Sequence, residues 1–174
     1  PRLGISLFNF GNEALHGVWS NCAPDGKCPT QFPAPIVMGA AFNSTLWRAV
    51  GDVSATEARG LWRSNETKSL EGTPLGLSFY APNVNLCRDA RWGRCEEVPS
   101  ECPFVNGEYG YHFVRGMQEG AGYNGGYYYK AGAVCKHYAV YNLELTNGSP
   151  QVSRHQFTAV TAPRDLAETY TPMF

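Results

Sequence analysis

Over residues 43–63 the apolar positions Leu46, Trp47, Val50, Val53, Ala58, Leu61 and Trp62 recur mostly at three- and four-residue steps. That period predicts an amphipathic helix, with Asn43 or Ser44 placed to cap it. A second helical pattern over residues 103–118 carries Phe104, Val105, Tyr109, Phe113 and Met117 on one face, and Pro103 stands where a first helical residue tolerates proline. A third, shorter helix is predicted over residues 163–170. Short apolar runs lie at 5–8, 36–41, 77–80 and 131–135. Most lack polar alternation, as do strands buried on both faces of a parallel sheet. Strands alternating with helices predict an α/β protein of right-handed crossover units, and pattern alone leaves a doubly wound sheet and a barrel both open. In either, ligands gather where strands end and loops begin. The glycine-rich stretches 72–76 and 120–126 read as loops between supersecondary units rather than domain boundaries.

Composition narrows the partners. The 174 residues suffice for one domain with a real core. Lys plus Arg is 14 against 15 for Asp plus Glu, a net charge of −1, so no clustered positive excess points to a nucleic-acid partner. No apolar run approaches the roughly 18 residues of a membrane span. Aromatics make up 13% of the chain, which suits packing against flat, half-polar ligands. His16, His112, His137 and His155 show no metal-ligand spacing, and no phosphate loop, dinucleotide fingerprint or serine-hydrolase elbow occurs. Neither a metal nor a cofactor is expected. With no initiator Met, no leader and a last residue that is aromatic, the chain reads as a piece of something longer.

Cysteines and sequons suggest a compartment. Cys22 and Cys28 flank a Pro-Asp-Gly turn, and Cys87 and Cys95 bracket a turn-rich, Arg-rich segment. Both spacings fit local disulfides and neither resembles a zinc knuckle, although six cysteines allow about fifteen pairings. Cys102 and Cys135 fit buried free thiols. Glycosylation sequons stand at Asn43, Asn65 and Asn147, the last weakened by Pro150. Together they predict a secreted glycoprotein.

Three segments carry candidate chemistry. Arg88-Asp89-Ala90-Arg91-Trp92-Gly93-Arg94 follows a predicted strand ending near Leu86, and its guanidinium forks can hold vicinal hydroxyls or a carboxylate. They can equally pair with Asp89, Glu96 or Glu97 and only hold the loop. Lys136-His137-Tyr138 follows the strand predicted at 131–135, at the usual place for binding groups, or else merely solvates a strand exit. In Asn12-Glu13-Ala14-Leu15-His16-Gly17, Glu13 can accept hydrogen bonds from ligand hydroxyls, while Asn12 can simply cap a short helix.

Taken together, these segments resemble glycoside hydrolase family 3, mainly its β-xylosidase branch. The resemblance is carried by Pro1-Arg2-Leu3-Gly4-Ile5, the Asn12 to Gly17 motif, Gln31-Phe32-Pro33-Ala34-Pro35-Ile36, Ser54-Ala55-Thr56-Glu57-Ala58-Arg59, Tyr80-Ala81-Pro82-Asn83-Val84-Asn85, the Arg loop, Lys136-His137-Tyr138 and Asp165-Leu166-Ala167-Glu168-Thr169-Tyr170. It implies that residues 1–174 form the N-terminal part of a (β/α)8 barrel domain, which the rest of the same chain completes. The implied activity is that of a secreted, retaining exo-glycosidase releasing terminal xylose from xylo-oligosaccharides. Alternatives are a β-glucosidase or α-arabinofuranosidase of the same family, or a non-catalytic sugar-binding protein. Arg94, Lys136 and His137 are implied to bind hydroxyls of the terminal sugar, with Glu13 filling the space a hexose hydroxymethyl would need. The nucleophile and acid/base are implied to come from later strands, so no catalytic residue is assigned and this piece alone is expected to be inactive. Three departures stand out. Cys95 replaces the Gly usual in xylosidases, and plant glucan hydrolases of the family share Cys at both 87 and 95, which supports a bridge around the Arg loop. Cys102 stands where Asp is usual and Ala90 where Pro is usual.

Overall fold

The computed structural model describes residues 3–4, 8–64, 68–69, 72–119 and 128–174. The helices are α1 (Pro35–Ala40), α2 (Ser44–Ser64), α3 (Pro103–Glu119) and α4 (Pro163–Asp165); α4 continues through a π turn at Leu166–Tyr170 into a 3-10 turn at Thr171–Met173. The long pair matches its periodicity. Asn43 caps α2, its Oδ1 accepting the Leu46 N–H at 3.0 Å. The buried face of α2 runs through Trp47, Val50, Ser54, Ala55, Ala58 and Leu61, and that of α3 through Asn106, Tyr109, Phe113 and Met117. These faces meet in the main core, with Val18, Met38, Leu75, Phe79 and Ala131.

The two helices cross backbone to backbone. A Cβ on Gly116 would lie 2.1 Å from the Arg48 carbonyl oxygen, and one on Gly51 would lie 2.4 Å from that of Phe113. Only hydrogen fits at either position. The run at 36–41, expected as a strand, is instead the helix α1. Length and apolarity alone do not separate a short strand from a short helix, and here Pro35 presets the first helical turn. The Trp47 indole N–H donates to the Met38 carbonyl at 2.7 Å and ties α1 to α2.

The strands are short and parallel. In β1 (Ser78–Phe79) and β2 (Gly132–Ala133), Ser78 pairs with Gly132 and Phe79 with Ala133. Asn12 bridges Phe79 in parallel on the other side, and Asn83 bridges Lys136 further along. The segment around Asn12, β1 and β2 are therefore successive parallel neighbours, with α1 and α2 between the first two and α3 between β1 and β2, as in one sector of a barrel. The runs expected at 77–80 and 131–135 are these strands, shortened. The segment ahead of the Arg loop forms only the single bridge at Asn83 rather than a continuous strand. Of the run at 5–8, residues 5–7 lie outside the described residues. Asn12 caps no helix: it is 2% exposed and its side chain joins Ser78 O at 2.9 Å and Gly76 N at 3.2 Å. No helix among the described residues is long and apolar enough to cross a membrane.

The glycine crossing is testable in the full-length protein. Gly116→Ala forces α2 and α3 apart, at a cost of about 1–3 kcal/mol, read as a lower first unfolding transition. Gly60→Ala, where nothing lies within 4 Å of the added carbon, leaves that transition unchanged or raises it. Equal melting of Gly116→Ala and the unmodified protein would refute the close contact.

Candidate functional site

The strand ends converge on a pair of opposite charges. Lys136 leaves β2 and is 8% exposed, an expensive place for an ammonium group without a partner. Its Nζ donates to both oxygens of Glu13, at 2.9 and 2.8 Å. Glu13 sits on the loop after Asn12, so the parallel register brings together residues 123 positions apart. Two of the three ammonium protons are engaged, and the third remains for a ligand acceptor.

Arg94 is fixed in the same manner. Its Nε and Nη2 each donate to the Glu97 carboxylate at 2.6 Å, a bidentate fork. Burial by itself would raise the Glu97 carboxyl, but the Arg94 hydrogen bonds and the Arg94 and Lys136 charges hold it below its ordinary value. The hydrogen bonds that Arg94 donates to Glu97 also raise Arg94 above its ordinary value. Arg94 Nη1 donates to the Tyr141 hydroxyl at 3.1 Å, as does Arg154 Nη1, also at 3.1 Å. Both guanidiniums lie 5.4 Å from the centre of the Tyr141 ring. Glu144 stands 3.7 Å from each.

The other arginines of the loop face elsewhere. Arg88 pairs with Asp165 at 3.0 Å and Arg91, almost fully exposed, pairs with Asp89. The loop itself is closed by a Cys87–Cys95 disulfide, and a second disulfide joins Cys22 to Cys28. Buried Trp92 packs edge-on against Tyr141 with ring centres 5.4 Å apart. Cys102 is exposed rather than buried, and Cys135 is partly buried. Cys102 directly precedes α3, where its N–H donates to Ser100 Oγ at 3.0 Å and its carbonyl accepts the Asn106 N–H at 3.0 Å.

His137 follows through a cis Lys136–His137 peptide. Its ring packs edge-on to Tyr141 at 4.6 Å, and its Nδ1 is buried with no hydrogen-bond partner among the described residues. Burial, then the Lys136 and Arg94 charges, push its pKa down from 6.5 to about 4. The imidazole is therefore neutral near pH 7, able to donate from one nitrogen and accept at the other.

Glu13, Arg94, Lys136 and His137 line one cavity of about 390 Å³, together with Tyr80 and Arg154. The cluster interleaves fixed cations with fixed carboxylates, so it offers directed donors and acceptors with little net charge. That chemistry suits a neutral polyol. Sequence reasoning did not pick out Tyr141, Glu144 or Arg154 at this site, and considered Glu97 only as a partner that might hold the Arg loop. Glu144 and Arg154 are brought side by side by an excursion closed at an antiparallel bridge between Leu145 and Ser153, and the Arg154 N–H donates to the Glu144 carbonyl at 2.9 Å. No periodicity announces that turn.

Comparison with known proteins follows the same line. The family model "Glycosyl hydrolase family 3 N terminal domain" matches residues 2–156. The whole chain aligns at 41% identity with an Aspergillus flavus protein named "Probable exo-1,4-beta-xylosidase" and at 39% with "Beta-D-xylosidase 1" of Arabidopsis thaliana. It spans only 21% of either relative. A solved exo-β-xylosidase in complex with a xylobiose aziridine probe superposes on 99% of this chain and 21% of its own, with a TM-score of 0.77 and 33% identity. A β-glucosidase of Listeria innocua, in complex with laminaribiose, superposes on 99% of this chain and 20% of its own, with a TM-score of 0.66 and 27% identity.

The histidine supplies a pH test. The unfolded chain takes a proton on His137 near pH 6.5, whereas the folded one resists it until about 4, so the stability it contributes is present above 6.5 and drains as pH falls through that window. Histidine hydrogen–deuterium exchange followed by mass spectrometry on the full-length protein should give a midpoint near 4 at His137. A midpoint at 6.5 would contradict the buried, cation-flanked setting.

Proposed function

The chain belongs to glycosyl hydrolase family 3, and from that premise we propose that it forms the first part of the (β/α)8 barrel of a retaining exo-β-xylosidase. In this reading Arg94, Lys136 and His137 hold hydroxyls of the terminal xylose of a xylo-oligosaccharide. The observation that carries it is the single cavity that these residues share with Glu13. The names of the xylosidase relatives supply the sugar. In this reading Glu13, paired with Lys136, fills the space a hexose hydroxymethyl group would need, as the resemblance implies, which favours a pentose. A β-glucosidase is the second reading, on the likeness to the Listeria enzyme.

Retaining hydrolysis needs two carboxyl groups about 5 Å apart, one a nucleophile and the other an acid/base. The carboxylates around this cavity have other duties. Glu13 neutralises Lys136, Glu144 stands between two guanidiniums, and Glu97 is held below its ordinary value when a general acid requires the opposite. In this reading the reacting carboxyls come, as the resemblance to the family implies, from later strands of the same protein that also complete the barrel, and this chain by itself is expected to turn over nothing. Its contribution is to bind and orient the sugar, supplying part of the positioning that converts binding into rate.

An extracellular setting belongs to the same proposal. The Cys22–Cys28 and Cys87–Cys95 bridges support it, as does the exposure of Asn43 and Asn147. Asn43 caps α2 through Oδ1, which leaves its amide nitrogen for a glycan. Asn65 lies outside the described residues.

Two measurements test these statements. On an aryl β-xyloside, Lys136→Ala in the full-length enzyme should lower kcat/KM by about 10²-fold or more, because it removes a donor and leaves Glu13 without its partner. Unchanged turnover, or a preference for the aryl β-glucoside or α-arabinofuranoside, would overturn the β-xylosidase assignment. Enzymatic deglycosylation of protein from its native source should shift the mass of the peptide bearing Asn43, and an unmodified peptide there would refute glycosylation at that position.

A further inference from the structure

The turn between α1 and α2 carries an aromatic side chain on a backbone that disfavours one. Phe42 has φ +47°, in the left-handed region where glycine is at ease and a bulky residue is an outlier. The residue is nonetheless 75% exposed, so little packing against the core offsets that strain. It lines an open cavity of about 630 Å³ with Ile36, Ala40, Pro99, Ser100 and Glu101 among others. A lone apolar residue on a surface needs no explanation, but a strained one facing an open cavity invites the question of what covers it.

Both sides of the turn are held. The Phe42 N–H donates to the Gly39 carbonyl at 3.1 Å. A Cβ on Gly39 would lie 1.9 Å from the Pro99 carbonyl oxygen, so α1 has no room to shift. On the other side the Asn43 carbonyl accepts the Trp47 N–H at 3.1 Å, and Asn43 Oδ1 accepts the Leu46 N–H at 3.0 Å. Asn43 opens the sequon Asn43-Ser44-Thr45 and is itself exposed. Its amide oxygen is committed to the helix, which fixes the side chain and leaves the amide nitrogen to carry a substituent one residue from the Phe42 ring.

We propose that the first sugar of a glycan on Asn43 lies with its apolar C–H face against the Phe42 ring and so locks the start of α2. This rests on the reading of Asn43 as glycosylated and states what that glycan does. Attachment replaces one N–H of the Asn43 amide by a bond to the anomeric carbon of a lipid-pyrophosphate-linked oligosaccharide. The bond from that carbon to the pyrophosphate oxygen breaks, and the amide proton is released. A sugar tethered to the next residue meets the ring at high effective concentration, and covering an aromatic face with C–H groups is favourable in water. Ser100 and Glu101 bring polar atoms to the same lining for the sugar's hydroxyls.

The test uses full-length protein from a secretory host, one portion trimmed by an endoglycosidase to the first N-acetylglucosamine. A second portion is stripped with peptide-N-glycosidase, which leaves an aspartate, itself a helix cap, in place of the glycosylated asparagine. Amide hydrogen exchange over residues 43–47 reads how often the start of α2 opens. In the trimmed form Phe42→Ala should speed that exchange about 3–10-fold, and in the stripped form by less than about twofold. Alanine meets the same left-handed penalty, so the substitution removes the ring without relieving the backbone. Phe42→Tyr, which keeps a flat ring, should exchange like the unmodified protein. Equal acceleration in both forms, or none in either, overturns the contact while glycosylation stands. A peptide that bears no glycan at Asn43 overturns the glycosylation reading and the contact with it.

Discussion

A nearly buried ammonium group requires a carboxylate, and the rest of the site is arranged around that requirement. Lys136 leaves β2 with almost no contact with water, and an unpaired charge there would cost several kcal/mol. Its partner Glu13 lies on a loop far away in sequence. The two can meet only because the segment around Asn12, β1 and β2 run parallel and in register, with Asn12 against Phe79 and Phe79 against Ala133. The same logic repeats locally at Arg94 and Glu97. Each cation is neutralised by a neighbour that also fixes its direction. The outcome is a surface of oriented donors with little net charge, suited to an uncharged sugar and in keeping with a chain of net charge −1.

Helix α2 sets the spacing of this arrangement from behind. Its Glu57 holds Thr30 on the loop that follows Trp19, and its Arg59 donates to the Lys130 carbonyl at 2.5 Å, just ahead of β2. Asp52 of α2 pairs with the Lys130 ammonium. One helix thus anchors both the turn that carries Glu13 and the strand that delivers Lys136. The glycine crossing with α3 removes slack from that anchor, since Gly51 and Gly116 leave no room for the helices to slide.

Much of this was legible in the sequence where a signal is local. The helices α2 and α3 follow from apolar periodicity, and Asn43 caps α2 as its residue type suggests. Candidates at strand ends fell on Glu13 and on the Lys136–His137 pair because loops at the ends of parallel strands collect binding groups. Arg94 could not be told from Arg88 and Arg91 by composition; the resemblance to a family separated it, and the structure turns the other two toward Asp165 and Asp89. What failed to show was non-local or ambiguous. Residues 36–41 form α1 because a short apolar run fits either element and Pro35 tips the balance. Asn12 looked like a cap but joins strands through its buried amide.

The aromatic at position 141 illustrates why pattern reading stops short of a site. Tyr141 has no motif around it, yet its hydroxyl accepts from Arg94 and Arg154, its ring lies against Trp92 and His137, and its backbone carbonyl accepts from the Asn85 amide. Five partners from four separate stretches of chain converge on one residue, four of them on its side chain. Such a residue is specified by the register of the whole fold rather than by its neighbours in sequence. Its consequence is chemical: with Arg94 held by Glu97 on one side and by Tyr141 on the other, the guanidinium is fixed before any ligand arrives, so little binding energy would go into ordering the protein.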